Sequence, residues 1–193
     1  MGNDMYRELG PTILASPLLR PIIDAWDKLS LPDCWMVAGA IAQTVWNETF
    51  GLPSAHGISD LDIVYFDGDD LSERGEAQHA ARIRATFAHL PVWIDVKNQA
   101  RVHTWYQDKF GYPVLPYTST ADAITSFPTT ATAIGLQPTN GSLVFDAPFG
   151  IDDLMAGVVR PNRKQITRAI YEAKVHRWLA HWPLLAVLPW DEP

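Results

Sequence analysis

The chain has 193 residues, 47% of them hydrophobic and 19% charged, which suits one domain with a substantial core, with or without a small appendage. A formal net charge of -7 argues against a dedicated binder of long nucleic acid, and no apolar run is long enough to cross a bilayer. The single cysteine, Cys34, excludes an intrachain disulfide and a cysteine-rich zinc site.

The first six residues carry neither a basic segment followed by an apolar run nor, with Tyr6 in place of Ser or Thr, a myristoylation site, so a cytoplasmic protein is expected. Residues 3 to 30 read as two short helices interrupted by Pro11, Pro17 and Pro21. Residues 34–38 form a short apolar run fit for a buried strand, and residues 41–47 have helix character, which places Gly39-Ala40 at a strand-to-helix turn. Exposed N–H groups at such a helix start suit an anion, although from this motif alone a Gly39 that merely relieves crowding where strand meets helix is the favoured reading. A breaker-rich loop over 51–57 leads into a strand centred on Leu61 to Phe66. Residues 67–70 read as a turn and helix cap before a solvated amphipathic helix over 73–90.

Residues 92–97 form a third strand, in which Asp95 interrupts the apolar run and Lys97 shares its face. A helix over 102–110, a Ser/Thr-rich segment with a helical turn over 121–127, and a hairpin around Asn140-Gly141 follow. A short helix starts near residue 149, and the longest helix spans 163–182 and stops at Pro183. The fold class is therefore α+β, a two-layer arrangement of a mixed sheet flanked by helices with a hairpin-plus-helix C-terminal region. Lobes over 31–115 and 116–193 within one domain are expected. Trp46, Phe66, Phe87 and Trp93 are expected in the core.

Asp60 and Asp62 carry the chemistry. Two residues apart on a strand, they face the same way about 7 Å apart along the chain. Two acids on one face repel unless a cation lies between them, and hard oxygen ligands suit magnesium. Asp95 lies inside the third strand.

The ordered set of Gly39-Ala40, Asp60-Leu61-Asp62 and Asp95 resembles the nucleotidyltransferase superfamily that includes DNA polymerase beta and kanamycin nucleotidyltransferase. More narrowly, Val37-Ala38-Gly39-Ala40, the segment 59–67 and Thr132-Ala133-Ile134-Gly135-Leu136 look like segments of the small bacterial nucleotidyltransferase-like family. The resemblance implies a nucleotidyltransferase that moves a nucleoside monophosphate from an NTP to a hydroxyl acceptor, with Asp60, Asp62 and Asp95 holding two Mg2+ (or Mn2+) ions and Asp95 serving the attacking hydroxyl. Gly39 and Ala40 would meet the phosphates. Ala40 stands where the superfamily has Ser or Gly, so Gln43 or Thr44 is expected to compensate. Lys97 meets a phosphate or neutralises the acids. The expected partners are an NTP and an acceptor, without long nucleic acid or membrane.

The alternatives are a catalytically weak nucleotide-binding or regulatory module, favoured by Ala40, and an interaction protein whose acids form a solvated rim. Arg101 and His103 read as groups that could touch substrate or be ordinary surface residues, and His56 as a loop residue near the acids. Lys164, Arg168, Lys174 and Arg177 give the last helix a basic character that could attract a triphosphate or acidic partner, with a solvated face the commoner reading.

Overall fold

The computed structural model describes residues 2–191, with side chains from residue 8 onward. The expectation about the first six residues, that they form neither a secretory signal nor a myristoylation site, falls outside the described side chains. Five strands form one sheet: β1 (Trp35–Val37), β2 (Asp60–Tyr65), β3 (Trp93–Asn98), β4 (Gly135–Thr139) and β5 (Ser142–Asp146), in the order β3-β2-β1-β4-β5. β1 runs antiparallel to β2 and β4, and β4 to β5, whereas β2 and β3 run parallel across the helix α1 (Glu73–Thr86). The expected α+β class with a mixed sheet and flanking helices is what the chain adopts.

Alternation along the strands gives the sheet two unlike faces. Met36, Leu61, Ile63, Ile94, Val96 and Leu136 point to one face, and each is at most 2% exposed. They join a single apolar cluster with helices before and after the sheet: α2 (Gly2–Ala15), α3 (Gly39–Thr49) and α4 (Arg168–His181). Trp35, Val37 and Val64 lie on the other face and pack on Ile124 and Ala133. Gly135 permits that contact, because a Cβ there would meet Ile124 at 2.8 Å.

Several expectations are refined. Pro11 lies inside α2 instead of ending it, since Leu9 and Ile13, wholly buried on either side of it, hold the helix against the core. The last helix begins at Arg168 rather than at 163, where the Thr167 hydroxyl accepts from the Ile170 N–H. The turn before α1 is as expected: the Asp67 carboxylate accepts from the Asp69 and Asp70 N–H groups, and Ser72 caps the helix. Asn140 and Gly141, both at positive φ, close the hairpin. A two-stranded parallel pair, β6 (Val158–Val159) and β7 (Ala186–Val187), is too short to show a periodicity. Among the expected core residues, Trp46 and Phe87 are buried and Phe66 is half-buried.

Trp93 corrects the expectation, being 57% exposed. It lies on the edge strand, in register with Asp60 and therefore on the face opposite the core, with the Arg84 guanidinium 3.9 Å over its ring.

One tie fixes the loop before β2. The Trp182 Nε1–H donates to Asn47 Oδ1 at 2.7 Å, and the Asn47 amide donates to the carbonyls of Ser54 and His56. Gly57 follows at φ +67, with the Trp182 ring 2.7 Å from where a Cβ would sit. We expect Gly57→Ala to lower stability by about 1–3 kcal/mol, from left-handed strain and displaced Trp182. Thermal unfolding checks this, and an unchanged melting temperature would mean that the loop shifts freely.

Candidate active site

β2 is sealed on one face by Leu61 and Ile63, so Asp60, Asp62 and Val64 occupy the other. Register carries that placement across the sheet: Val37 of β1 pairs with Asp62, which pairs with Asp95 of β3. Cross-strand partners share a face, so Asp62 and Asp95 are neighbours and Asp60 precedes them on the same side. Asp60 is exposed and accepts from the Ser59 hydroxyl at 2.7 Å. Asp95 is half-buried, 3.5 Å from Arg84 and 3.7 Å from Lys97. Lys97 also lies 3.8 Å from Glu76.

Asp62 has the strongest perturbation. Burial, then the charges of Asp60 and Asp95, push its carboxyl up to about 7, and Lys174 and Lys97 only partly pull it back. Among the described residues, no three His, Cys, Asp or Glu side chains are gathered closely enough to hold a metal ion as they stand. Asp60 is engaged by Ser59, and Asp95 by Arg84 and Lys97. The donor set is nonetheless three hard carboxylates on one sheet face, one of them proton-hungry, and that chemistry fits a divalent cation.

Gly39 opens α3 beside these acids. The residue before it, Ala38, has φ 61 and ψ -124, a conformation costly for an L side chain, and its N–H donates to the Ile134 carbonyl. Ala40 is 1% exposed and joins the main core. The Thr44 hydroxyl donates to the Ala40 carbonyl at 2.7 Å, so it is turned into its own helix. Gln43 is the side chain of this turn that reaches the cleft: it is buried, and its Oε1 has no partner.

The opposite wall comes from α4. Lys174 and Arg177 border a cleft of about 210 Å³ with Gly39, Gln43, Asp60 and Asp62. Burial and the Arg177 charge hold the Lys174 ammonium below its usual pKa, against the pull of Asp62 and Asp60. The sequence left this pair between a solvated face and a triphosphate or acidic partner; Arg177 is exposed and Lys174 is half-buried. A signal was present, because Lys174 falls three residues after Tyr171 and four before Trp178, on the side of the buried stripe.

Other candidates fall elsewhere. Arg168 pairs with Glu172 and Asp191, and Lys164 lies 3.9 Å from Asp122. Arg101 forms a buried pair with Glu76 at 2.7 Å. The His56 ring meets the His181 carbonyl, and His103 is half-buried with Nδ1 unpartnered. Beyond Asp62, on the side of Lys97 and Gln99, the cleft continues into a second cavity of about 320 Å³.

The Asp62 shift implies a pH dependence. A carboxyl whose folded pKa lies near 7, above its unfolded value near 4, binds more protons in the folded state between those values, so stability falls as pH rises through that window. Without metal, Asp62→Asn is expected to be more stable than the parent at pH 8 and equal to it below about pH 4. Thermal melts across pH check this, and a larger difference at pH 4 than at pH 8 would contradict it.

Residues 24–187 match the family described as Nucleotidyltransferase, and the chain belongs to that family. It is thereby a member of the DNA polymerase beta-like nucleotidyltransferase superfamily, as the motifs implied. In fold it is similar to an NMR structure described as a CCA-adding enzyme head domain, with a TM-score of 0.78 and 24% identity over 95% of each chain. It is also similar to the Thermotoga maritima CCA-adding enzyme complexed with tRNA, with a TM-score of 0.51 and 13% identity over 88% of this chain and 39% of that one. No curated protein matches the chain.

The tRNA complex corrects one expectation. A protein of this fold takes a long nucleic acid, so the net charge of -7 does not exclude such a partner. Net charge averages over the surface, whereas nucleic acid is met by local patches.

Proposed function

We propose that the protein is a magnesium-dependent nucleotidyltransferase that moves a nucleoside monophosphate from an NTP to a hydroxyl acceptor. The observation that carries this reading is the register of Asp62 with Asp95, which puts three carboxylates on one face of the sheet, two of them, Asp60 and Asp62, lining the cleft with Gly39, Lys174 and Arg177. Asp60, Asp62 and Asp95 would hold divalent cations, two in the full scheme. Bound there, the cations neutralise charge on the phosphates and on the attacking and leaving oxygens.

The chain's own groups divide the remaining work. The Gly39 turn and the buried Gln43 amide orient the triphosphate, and Lys174 and Arg177 offset its charge from the other wall. The acceptor oxygen attacks the α-phosphorus, the bond to the bridging oxygen of the β-phosphate breaks, and pyrophosphate leaves. Asp95, on the acceptor side, takes the hydroxyl proton, and Lys97 and Arg84 steady its carboxylate. The tRNA bound by the Thermotoga maritima enzyme makes an RNA hydroxyl the first acceptor to test.

Labelled NTP, magnesium and RNA are the assay. Asp95→Asn is expected to lower turnover about 100-fold or more while keeping most of the NTP affinity, because its interaction is made mainly in the transition state. Equal turnover in parent and variant would remove Asp95 from the chemistry. Absence of transfer in both, with NTP binding intact, would favour a binding module.

A further inference from the structure

The cavity beyond Asp62 is absorbed by none of the roles above. It shares Ala38, Asp62, Pro128 and Lys174 with the phosphate cleft, so the two form one continuous trough along the sheet. Their linings differ sharply in chemistry. The phosphate side holds Gly39, Gln43, Asp60 and Arg177, whereas the far side is walled by Trp105, Tyr106, Phe110 and Phe127. The charged residues of the second cavity, Asp62, Lys97 and Lys174, belong to the site already described. Its volume of about 320 Å³ lies at the small end of ligand pockets, enough for one ring system and too little for a base pair.

Ordered neutral hydrogen-bonding groups complete the wall. The Tyr117 hydroxyl is 2.6 Å from both Ser126 Oγ and Gln165 Oε1, and Ser126 Oγ donates to the Ala123 carbonyl. With its oxygen held by Tyr117, the Gln165 amide has its NH2 left to give. Flat aromatic walls with a few fixed neutral polar groups match a nucleobase, which is planar, uncharged and edged with acceptors.

We infer that this cavity holds the nucleobase of the NTP, stacked among Trp105 and Phe127 and contacted by Gln165, while its phosphates lie at Gly39 and Lys174. This rests on the nucleotidyltransferase reading and adds where the nucleoside sits. It leaves the acceptor to approach from the Asp95 side, since Asp95 lines neither cavity.

The test compares binding of each of the four NTPs with that of inorganic tripolyphosphate, all with magnesium, in the parent, Trp105→Ala and Phe127→Leu. The second variant keeps an apolar side chain at its site, and thermal melts establish that both are folded. The parent is expected to bind at least one NTP tenfold or more tightly than tripolyphosphate. Loss of a stacking ring should weaken that NTP about 5- to 100-fold and leave tripolyphosphate unchanged. Equal affinity for NTP and tripolyphosphate in the parent would overturn the inference, as would variants that weaken neither ligand or both alike. If tripolyphosphate fails to bind while an NTP binds and loses affinity in Trp105→Ala, the base pocket stands and the phosphate assignment falls.

Discussion

A strand with one face sealed in the core cannot turn its other face away. Leu61 and Ile63 are wholly buried, so rotating Asp62 from its neighbours would expose both. The alternation of β2 thus forces Asp60 and Asp62 onto one surface, and the parallel register with β3 brings Asp95 alongside. The repulsion and burial that push the Asp62 carboxyl up to about 7 follow from this constraint. A cation relieves both, and so does Lys174, whose own partial burial is tolerable beside two acids.

The ends of this arrangement are pinned by buried polar groups outside the chemistry. At the end of β3, the Asn98 side chain accepts from the N–H groups of Asp67 and Ala100 and donates to the carbonyls of Asp67 and Asp70. Its own N–H donates to Glu76, which pairs with Arg101. This network fixes the chain on either side of Lys97 and Gln99. At the other end, Trp182 and Asn47 tie the loop before β2 to α3 and to the end of α4, the two helices that frame the cleft beside Asp60 and Asp62. The strained Ala38, at the start of α3, lines both cavities and is held by its N–H bond to the Ile134 carbonyl.

The acids were legible in the sequence because strand alternation is local: Asp60 and Asp62 share a face wherever the strand lies. The partnership with Asp95 came from the family resemblance, and register, a long-range property, gives it geometry. Ala40 shows the opposite case. The motif placed its backbone N–H near phosphate, a placement that side-chain burial leaves untouched; helix phase turns its methyl into the core and leaves the Gln43 side chain at the cleft. Helix phase put Lys174 beside the buried stripe, but nothing local shows that this C-terminal helix crosses Asp60 and Asp62, more than 110 positions away, so a solvated face was the first reading of Lys174 and Arg177. Trp93 was misjudged because an apolar run looks buried on both faces, whereas an edge strand leaves one face open.

The most direct measurement is a Mn2+ titration followed by water-proton relaxation, with an NTP present, on the parent and on Asp62→Asn. The parent is expected to bind Mn2+ and NTP together with strongly enhanced relaxation, and the variant to lose most of that enhancement while remaining folded. Identical titrations for the two proteins would contradict the claim that the carboxylates forced together on β2 and β3 are a cation site.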